Sequence, residues 1–178
     1  MHMNKSKYIL RPAGEGDREA MGKVYCASWK KGYRGILPAA YLESLTIEIC
    51  APKRVNGKNN VVAFLGDEMA GLVNFGPPRE SLAAGEGEIR AIYVHPAHWG
   101  KGAAEILFRS ALKNLYMAGY NSVYLWVLKE NGRARRFYEK MGLQASGVLR
   151  TVQIGGEDTE EIRYIGRISE NGSENKRI

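Results

Sequence analysis

The chain predicts an α/β domain in which a sheet is covered by helices on both faces, and three observations carry that expectation. Ala104, Leu107, Phe108, Ala111, Leu112 and Leu115 recur at helical spacing, which gives a long helix one apolar face and leaves Gly119 as its C-terminal stop. The run Val123 to Leu128, VYLWVL, is apolar on both sides, as a strand covered from above and below must be. A strand-like segment, Glu88 to Val94, precedes the helix, so strand, helix and strand form a parallel crossover, which is right-handed.

The other elements follow in order. Tyr8 to Arg11 reads as a short strand ending at Pro12, and Asp17 reads as the cap of a helix with Ala20, Met21, Val24 and Tyr25 on one stripe, running to about Trp29. Pro38 stands where a second helix begins, and a third helical stretch covers Ile47 to Val55. After the loop NGKNN, Val61 to Leu65 and Met69 to Phe75 read as a hairpin joined by Gly66-Asp67-Glu68 and ended by Pro77-Pro78. Ser81 to Gly87, rich in Ala and Gly, reads as a flexible connection. Strict alternation in the next strand places Glu88, Arg90, Ile92 and Val94 on one face and Ile89, Ala91 and Tyr93 on the other. Asn131 and Gly142 bracket a helix carrying Ala134, Phe137, Tyr138 and Met141. Leu143 to Ile154 and Glu161 to Ile168 read as a closing strand pair around Gly155-Gly156. One domain is expected over residues 1–168, with a polar tail of disordered composition at 169–178.

Composition narrows the function classes. A chain of 178 residues is long enough to bury roughly 70% of its unfolded surface, and 44% hydrophobic with 25% charged residues is ordinary for a soluble globular protein. No apolar run approaches the roughly 20 residues of a membrane span, and MHMNKSK lacks the apolar core of a signal peptide, so a cytoplasmic protein without a membrane partner is expected. Cys26 and Cys50 are too few for a disulfide scaffold, and with His95 and His98 they match no metal motif, so no metal is expected. The net charge of +7 admits nucleic acid, a membrane surface or an anionic ligand. Its distribution matters more: Lys101, Arg109, Lys129, Arg133, Arg135 and Arg136 gather around one loop and one later helix, which suits a polyanionic cofactor, with solvated helix faces as the plainer alternative.

That loop is the chemical centre of the sequence. In EIRAIYVHPAHWGKGAA a strand, a Pro-marked turn and the glycines Gly100 and Gly102 lead directly into the long helix. The first four N–H groups of a helix lack internal partners and carry the positive end of its dipole, so an anion brought there gains hydrogen bonds and charge stabilisation together. Glycines allow the sharp turn and the close approach, and Lys101 adds a mobile cation. A Rossmann fingerprint is disfavoured because its third glycine is missing and SVYLWVL replaces the later acidic residue. A Walker loop is disfavoured because Lys101 is followed by Gly102 rather than Ser or Thr.

With these residues in place the chain resembles the GNAT superfamily of acetyl-CoA-dependent N-acetyltransferases, whose signature is Gln/Arg-x-x-Gly-x-Gly/Ala. The matching hexamer is Trp99-Gly100-Lys101-Gly102-Ala103-Ala104; its last two fixed positions agree, and Trp99 departs from the usual Gln or Arg. The resemblance implies a mixed, mostly antiparallel sheet with a splayed parallel strand pair. It also implies acetyl-CoA as co-substrate, with phosphates on the loop from Trp99 to Ala104 and the pantetheine arm on the backbone of Ile92, Tyr93 and Val94. The segment Asn131 to Gly142 matches a second family block, which implies that Asn131 contacts the cofactor, with Arg135 beside it, and that Tyr138 protonates the departing thiolate. A capping Asn and a packed core Tyr are the alternative.

The same resemblance makes Trp29, Tyr33 and Arg34 candidates for shaping the acceptor site, with plain helix packing as the alternative. The reaction it implies is direct attack of an amine on the thioester within one cleft, followed by proton transfer to sulfur. An amine with a pKa near 10.4 must first lose its proton, so a general base or desolvation is required. Glu88, 11 residues before Trp99, is the base candidate, with a structural role as its alternative. The expected partner is a small-molecule or peptide amine rather than nucleic acid, and a homodimer stays open. A non-catalytic acyl-CoA sensor of the same fold and a basic nucleic-acid-binding module are the competing readings.

Overall fold

In the computed structural model, which describes residues 7–80, 84–170 and 172–173, the core forms where the sequence stripe demands it. Helix α4 (Ala103–Met117) buries Ala103, Leu107, Phe108, Ala111, Leu112 and Leu115 against a sheet, and Ala104 lies at the edge of that face. The helix ends as its glycine dictates: Gly119 adopts φ +93°, and Tyr120 N–H donates to Leu115 O at 3.1 Å.

The sheet comprises β1 (Ile9–Pro12), β2 (Asn60–Leu65), β3 (Glu68–Gly76), β4 (Glu86–Val94), β5 (Ser122–Leu128), β6 (Gln144–Ile154) and β7 (Glu157–Ser169), in the order β1-β2-β3-β4-β5-β7-β6. Only β4 and β5 run parallel; the other neighbours are antiparallel. The short β8 (Gly172–Ser173) turns back onto Ile168 and Ser169. Residues 171 and 174–178 of the expected tail and residues 81–83 of the expected connection lie outside the described residues.

α4 and α5 (Gly132–Lys140) cover one face of the sheet, where Val123, Leu125 and Val127 meet Tyr138, Met141 and Leu143. The other face carries α1 (Arg18–Gly32), α2 (Ala39–Ser44) and α3 (Ile47–Cys50), with Met21 and Val24 against Val62 and Leu72, and Leu128 against Leu37 and Leu42. This is why β5 is apolar on both sides. Cys26 and Cys50 sit free and buried between α1 and α3. Among the described residues no helix is long and apolar enough to cross a membrane.

Several local expectations need correction. Asp17 stands at the N-cap position of α1, but its side chain does not bond the helix amides; its carboxylate accepts from Arg11 at 2.6 and 2.7 Å and from Gly14 N–H at 2.8 Å, because a nearby guanidinium outcompetes those amides. Helix α1 runs on to Gly32, three residues past Trp29. Helix α3 stops at Cys50 instead of reaching Val55, since Ala51 precedes Pro52 and is held extended at ψ 135°. Strand β7 begins at Glu157, four residues before the expected Glu161, and forms a hairpin with β6.

The consequential correction lies in β4. Pairing with β3 runs Asn74 to Ala91 and then Phe75 to Ile89, so Arg90 is an extra residue, a bulge. Ile89 thereby joins Ile92 and Val94 on the α4 side, and Glu88 is left on the side of Tyr93, so the strict alternation breaks at Arg90. The Arg90 guanidinium folds back onto β3, donating to Pro77 O at 2.7 Å.

Leu112 is 1% exposed and packs centrally between α4 and the sheet. Leu112→Ala is expected to lose about 2–5 kcal/mol of stability in urea unfolding, and a loss below about 1 kcal/mol would place the core elsewhere.

Candidate functional site

The parallel pairing of β4 with β5 is short: Glu86, Gly87 and Glu88 meet Ser122, Val123 and Tyr124, and then the strands diverge. His95 N–H still bonds Ala70 O on β3 at 2.8 Å. Alternation therefore turns the backbone groups of Ile92 and Val94 away from β3 and into the gap. One of these is satisfied within the chain, because the Trp99 indole N–H donates to Val94 O at 2.7 Å.

Two adjoining cavities fill the divergence. The outer, about 440 Å³, is lined by Ile92, Val94, Trp99, Gly100, Gly102, Ala103, Ala104, Phe137 and Tyr138 among others. The inner, about 140 Å³, is lined by Trp29, Tyr33, Ile92, Tyr93, Trp126, Asn131 and Tyr138 among others. Ser28, Ile92, Arg133, Ala134 and Tyr138 border both, so the two are lobes of one cleft.

The outer lobe ends on the glycine loop. Gly100 and Gly102 adopt φ +71° and +91°, and nothing lies within 4 Å of a Cβ placed on either, so the glycines are required by backbone conformation and the loop faces open space. Beyond Gly102 the first-turn N–H groups of α4 are directed out of the helix end. This geometry fits an anionic group such as the phosphates of an acyl carrier. Lys101 is exposed at the loop and lines neither lobe.

Asn131 is 6% exposed and caps α5, its Oδ1 accepting from Ala134 N–H at 3.1 Å while the residue borders the inner lobe. Tyr138 is 9% exposed; burial, with Tyr33 adding to it and Arg133 opposing, holds its phenol above the usual tyrosine pKa. Arg135 stands apart from both lobes: its guanidinium donates to Tyr164 Oη at 3.2 Å and to Lys129 O at 3.1 Å. Trp29 and Tyr33 meet edge to face at 4.7 Å and continue into Tyr25 and Tyr93 as an aromatic wall. Arg34 is not brought to the cleft; it borders a separate hollow with Lys30, Leu37 and Leu42, beyond the turn at Gly35.

Glu88 is 2% exposed and lines neither lobe. Arg79 grips it with Nη2 at 2.6 Å, Nε at 3.0 Å and its backbone N–H at 3.0 Å, and Arg90 Nε approaches to 3.7 Å. Burial alone would raise the carboxyl, but the Arg79 bonds and the two positive charges outweigh it and hold the pKa below the usual glutamate value. A carboxylate so held is a weak base. Nearby, Arg150 pairs with Glu80 and with Glu161 at 2.7 Å, and Arg163 pairs with Glu86 at 2.7 Å, so the acidic groups on this face are neutralised by arginines.

Ser28, Trp126 and Ala134 also border the cleft without having been expected at a site, and Arg133, expected only as one of several basic residues suiting a polyanionic cofactor, borders both lobes. For Ser28 a signal exists: it falls on the Met21 and Val24 stripe of α1, where a polar residue is out of place. The charge of Arg133 is legible but its place is not, because its neighbour Trp99 is 34 residues away in the chain.

Comparison with known proteins places this geometry. A family model described as Acetyltransferase (GNAT) family matches residues 26–143. A protein of Bacillus subtilis named as an uncharacterized N-acetyltransferase, YuaI, is 30% identical over 125 residues, 68% of this chain and 72% of its own. Among solved structures, a GCN5-related N-acetyltransferase of Rhodopseudomonas palustris superposes with a TM-score of 0.73 at 21% identity, covering 94% of this chain and all of its own. The PaiA N-acetyltransferase of Thermoplasma acidophilum, solved in complex with coenzyme A, gives 0.65 at 21% identity over 86% of this chain and 97% of its own.

The depressed pKa of Glu88 makes it a stabilising group above the ordinary carboxylate range, with that contribution lost as pH falls through its folded pKa. Glu88→Gln is expected to cost on the order of 1–2 kcal/mol at pH 7, discounted because Arg79 is largely exposed, and the gap to wild type should close towards pH 3 in thermal melts. A gap independent of pH would contradict an ionised Glu88 paired with Arg79.

Proposed function

The chain belongs to the GNAT family of acetyltransferases, and we propose that it transfers the acetyl group of acetyl-CoA to a primary amine of a small molecule or peptide by direct attack in a ternary complex. One observation carries the reading: the two lobes of the cleft meet at Ile92 and Tyr138, so a carrier seated on the glycine loop and an amine beside Trp29 come together at the splayed strands.

Bound acetyl-CoA supplies a thioester, an acyl group already activated for attack. Gly100, Gly102 and the α4 amides of Ala103 and Ala104 hold its phosphates, while the gap-facing backbone of Ile92 and Val94 pairs with the amides of its arm as an added strand would. Tyr93 contributes backbone and the aromatic wall, and Asn131 fixes the inner end of α5. The Val94 N–H faces the gap and polarises the acyl carbonyl.

The amine must arrive neutral. Glu88, ionised and gripped by Arg79, is a weak acceptor for its proton, so the aromatic wall of Trp29, Tyr33 and Tyr93 does this work by disfavouring the charged ammonium. Tyr138 keeps its proton throughout the working pH range because burial holds its pKa high. Its Oη–H donates to the sulfur as the C–S bond breaks, and the proton released by the attacking amine restores the balance, leaving amide and free thiol.

Tyr138→Phe is expected to lower kcat by about 10²-fold or more while acetyl-CoA affinity in calorimetry changes by less than about threefold. Unaltered turnover of thiol release would remove Tyr138 from the chemistry.

A further inference from the structure

The two lobes of the cleft join beside a side chain whose charge is unmatched. Arg133, from α5, is exposed there and borders both lobes, whereas Lys140 borders the outer lobe alone. The Arg133 guanidinium stacks 3.7 Å from the centre of the Trp99 ring, and that ring is fixed by the indole bond to Val94 O at 2.7 Å. Tyr33 and Tyr138 act on it electrostatically, so it stands beside the phenol assigned to the leaving sulfur. Its partners among the described residues are aromatic rings. The carboxylate that lines the inner lobe, Glu161, is taken by Arg150 at 2.7 Å.

The end of α1 leaves the guanidinium accessible. Gly32 has no positive φ, so its backbone does not require glycine. A Cβ there would meet Arg133 Nη2 at 3.2 Å and the Trp99 ring at 3.9 Å, and without one a notch opens from the inner lobe onto the guanidinium edge. A guanidinium held flat on a ring offers its edge N–H groups to a planar anion, and a carboxylate takes two of them in parallel. In a free α-amino acid the nitrogen and the carboxylate carbon are both bonded to Cα, about 2.5 Å apart. A cation serving that carboxylate must stand beside the attacking nitrogen, and Arg133, next to Tyr138, does so. A peptide N-terminus has an uncharged amide at that position, and a lysine side chain has only methylene. The amino-acid side chain then enters the inner lobe, about 140 Å³, walled by Trp29, Tyr33, Tyr93, Trp126, Leu128 and Ile154. An apolar cavity of about 150 Å³ admits benzene, so this lobe suits a group of leucine or phenylalanine size.

We propose that the acceptor is a free α-amino acid with an apolar side chain, its carboxylate paired with Arg133, its side chain in the inner lobe and its amine directed at the thioester. The assignment rests on the acetyl-transfer reading. The neutral amine forms the N–C bond as the C–S bond breaks. The nitrogen gives up one proton and the sulfur receives one through Tyr138, so the products are an N-acetyl-amino acid and coenzyme A.

The test follows thiol release from acetyl-CoA with valine, leucine, methionine and phenylalanine, each beside its amide, which keeps the amine and side chain but lacks the carboxylate. The wild type is expected to prefer at least one of these amino acids to its amide by about 10–100-fold in kcat/KM. Arg133→Met should reduce that preference to below about threefold, chiefly through KM for the amino acid, while acetyl-CoA affinity in calorimetry stays within about twofold. Gly32→Ala favours the helix but crowds the guanidinium, so the same KM should rise while the melting temperature does not fall. Wild-type protein that uses amides as well as the amino acids, that turns over none of the four amino acids, or whose preference survives in Arg133→Met would each overturn the proposal. So would loss of acetyl-CoA affinity in Arg133→Met, which would place Arg133 on the carrier. Acetyl-CoA binding with acetylation of an amide alone would overturn the proposal and leave acetyl transfer standing; wild-type protein that binds no acetyl-CoA would overturn both.

Discussion

The separation of β4 from β5 after Glu88 and Tyr124 is the constraint on which the rest of the site depends. A strand edge opened inside a fold leaves N–H and C=O groups without their sheet partners, and each such group costs free energy unless something else bonds it. The chain meets part of this cost itself by placing the Trp99 indole on Val94 O. The Arg90 bulge bends β4 just where it leaves its neighbour. Helix α5 then enters the divergence, with Asn131 as its cap and Tyr138 facing both lobes. Everything that marks the site is thus a response to one interrupted ladder.

Charge is organised around the same break. On the sheet face carrying Glu88, acidic side chains are paired with Arg79, Arg150 and Arg163, and the Arg79 pairing holds Glu88 below the usual glutamate pKa. Beside the cleft lie aromatic surface and Glu161, paired with Arg150, on the acceptor side, and Arg133, which stacks on Trp99 and borders both lobes. Such a division suits a reaction in which an anionic carrier must be held and a cationic amine must shed its charge before it reacts.

Much of the fold is legible in the sequence, because one-sided and two-sided burial imprint periods on single segments. The α4 stripe from Leu107 to Leu115 and the double-faced β5 are of this kind. The glycine loop is legible for a related reason: only glycine tolerates the positive φ of residues 100 and 102 without strain, so conformation writes itself into residue type. Relations between distant segments leave no such imprint. The Arg90 bulge exists only relative to Phe75 on β3, and the alternation Glu88, Arg90, Ile92 looks regular without it. The state of Glu88 is decided by Arg79 on the connection before β4, and the orientation of Arg133 by Trp99 across the cleft. Arg34 illustrates the same limit, since a turn at Gly35 directs it to another hollow that its position in the chain does not reveal.

The central claim is that the splayed strands and the glycine loop form an acyl-CoA site, and titration calorimetry of acetyl-CoA into wild-type protein and into Gly102→Glu tests it most directly. The substitution puts a carboxylate at the helix start, on a backbone held at φ +91° that any side chain strains, with nothing within 4 Å of the new Cβ to clash. Saturable binding by the wild type that disappears in a variant of normal secondary structure is the predicted result. Wild-type protein that takes up no acetyl-CoA, or a variant that binds it equally well, would contradict the account.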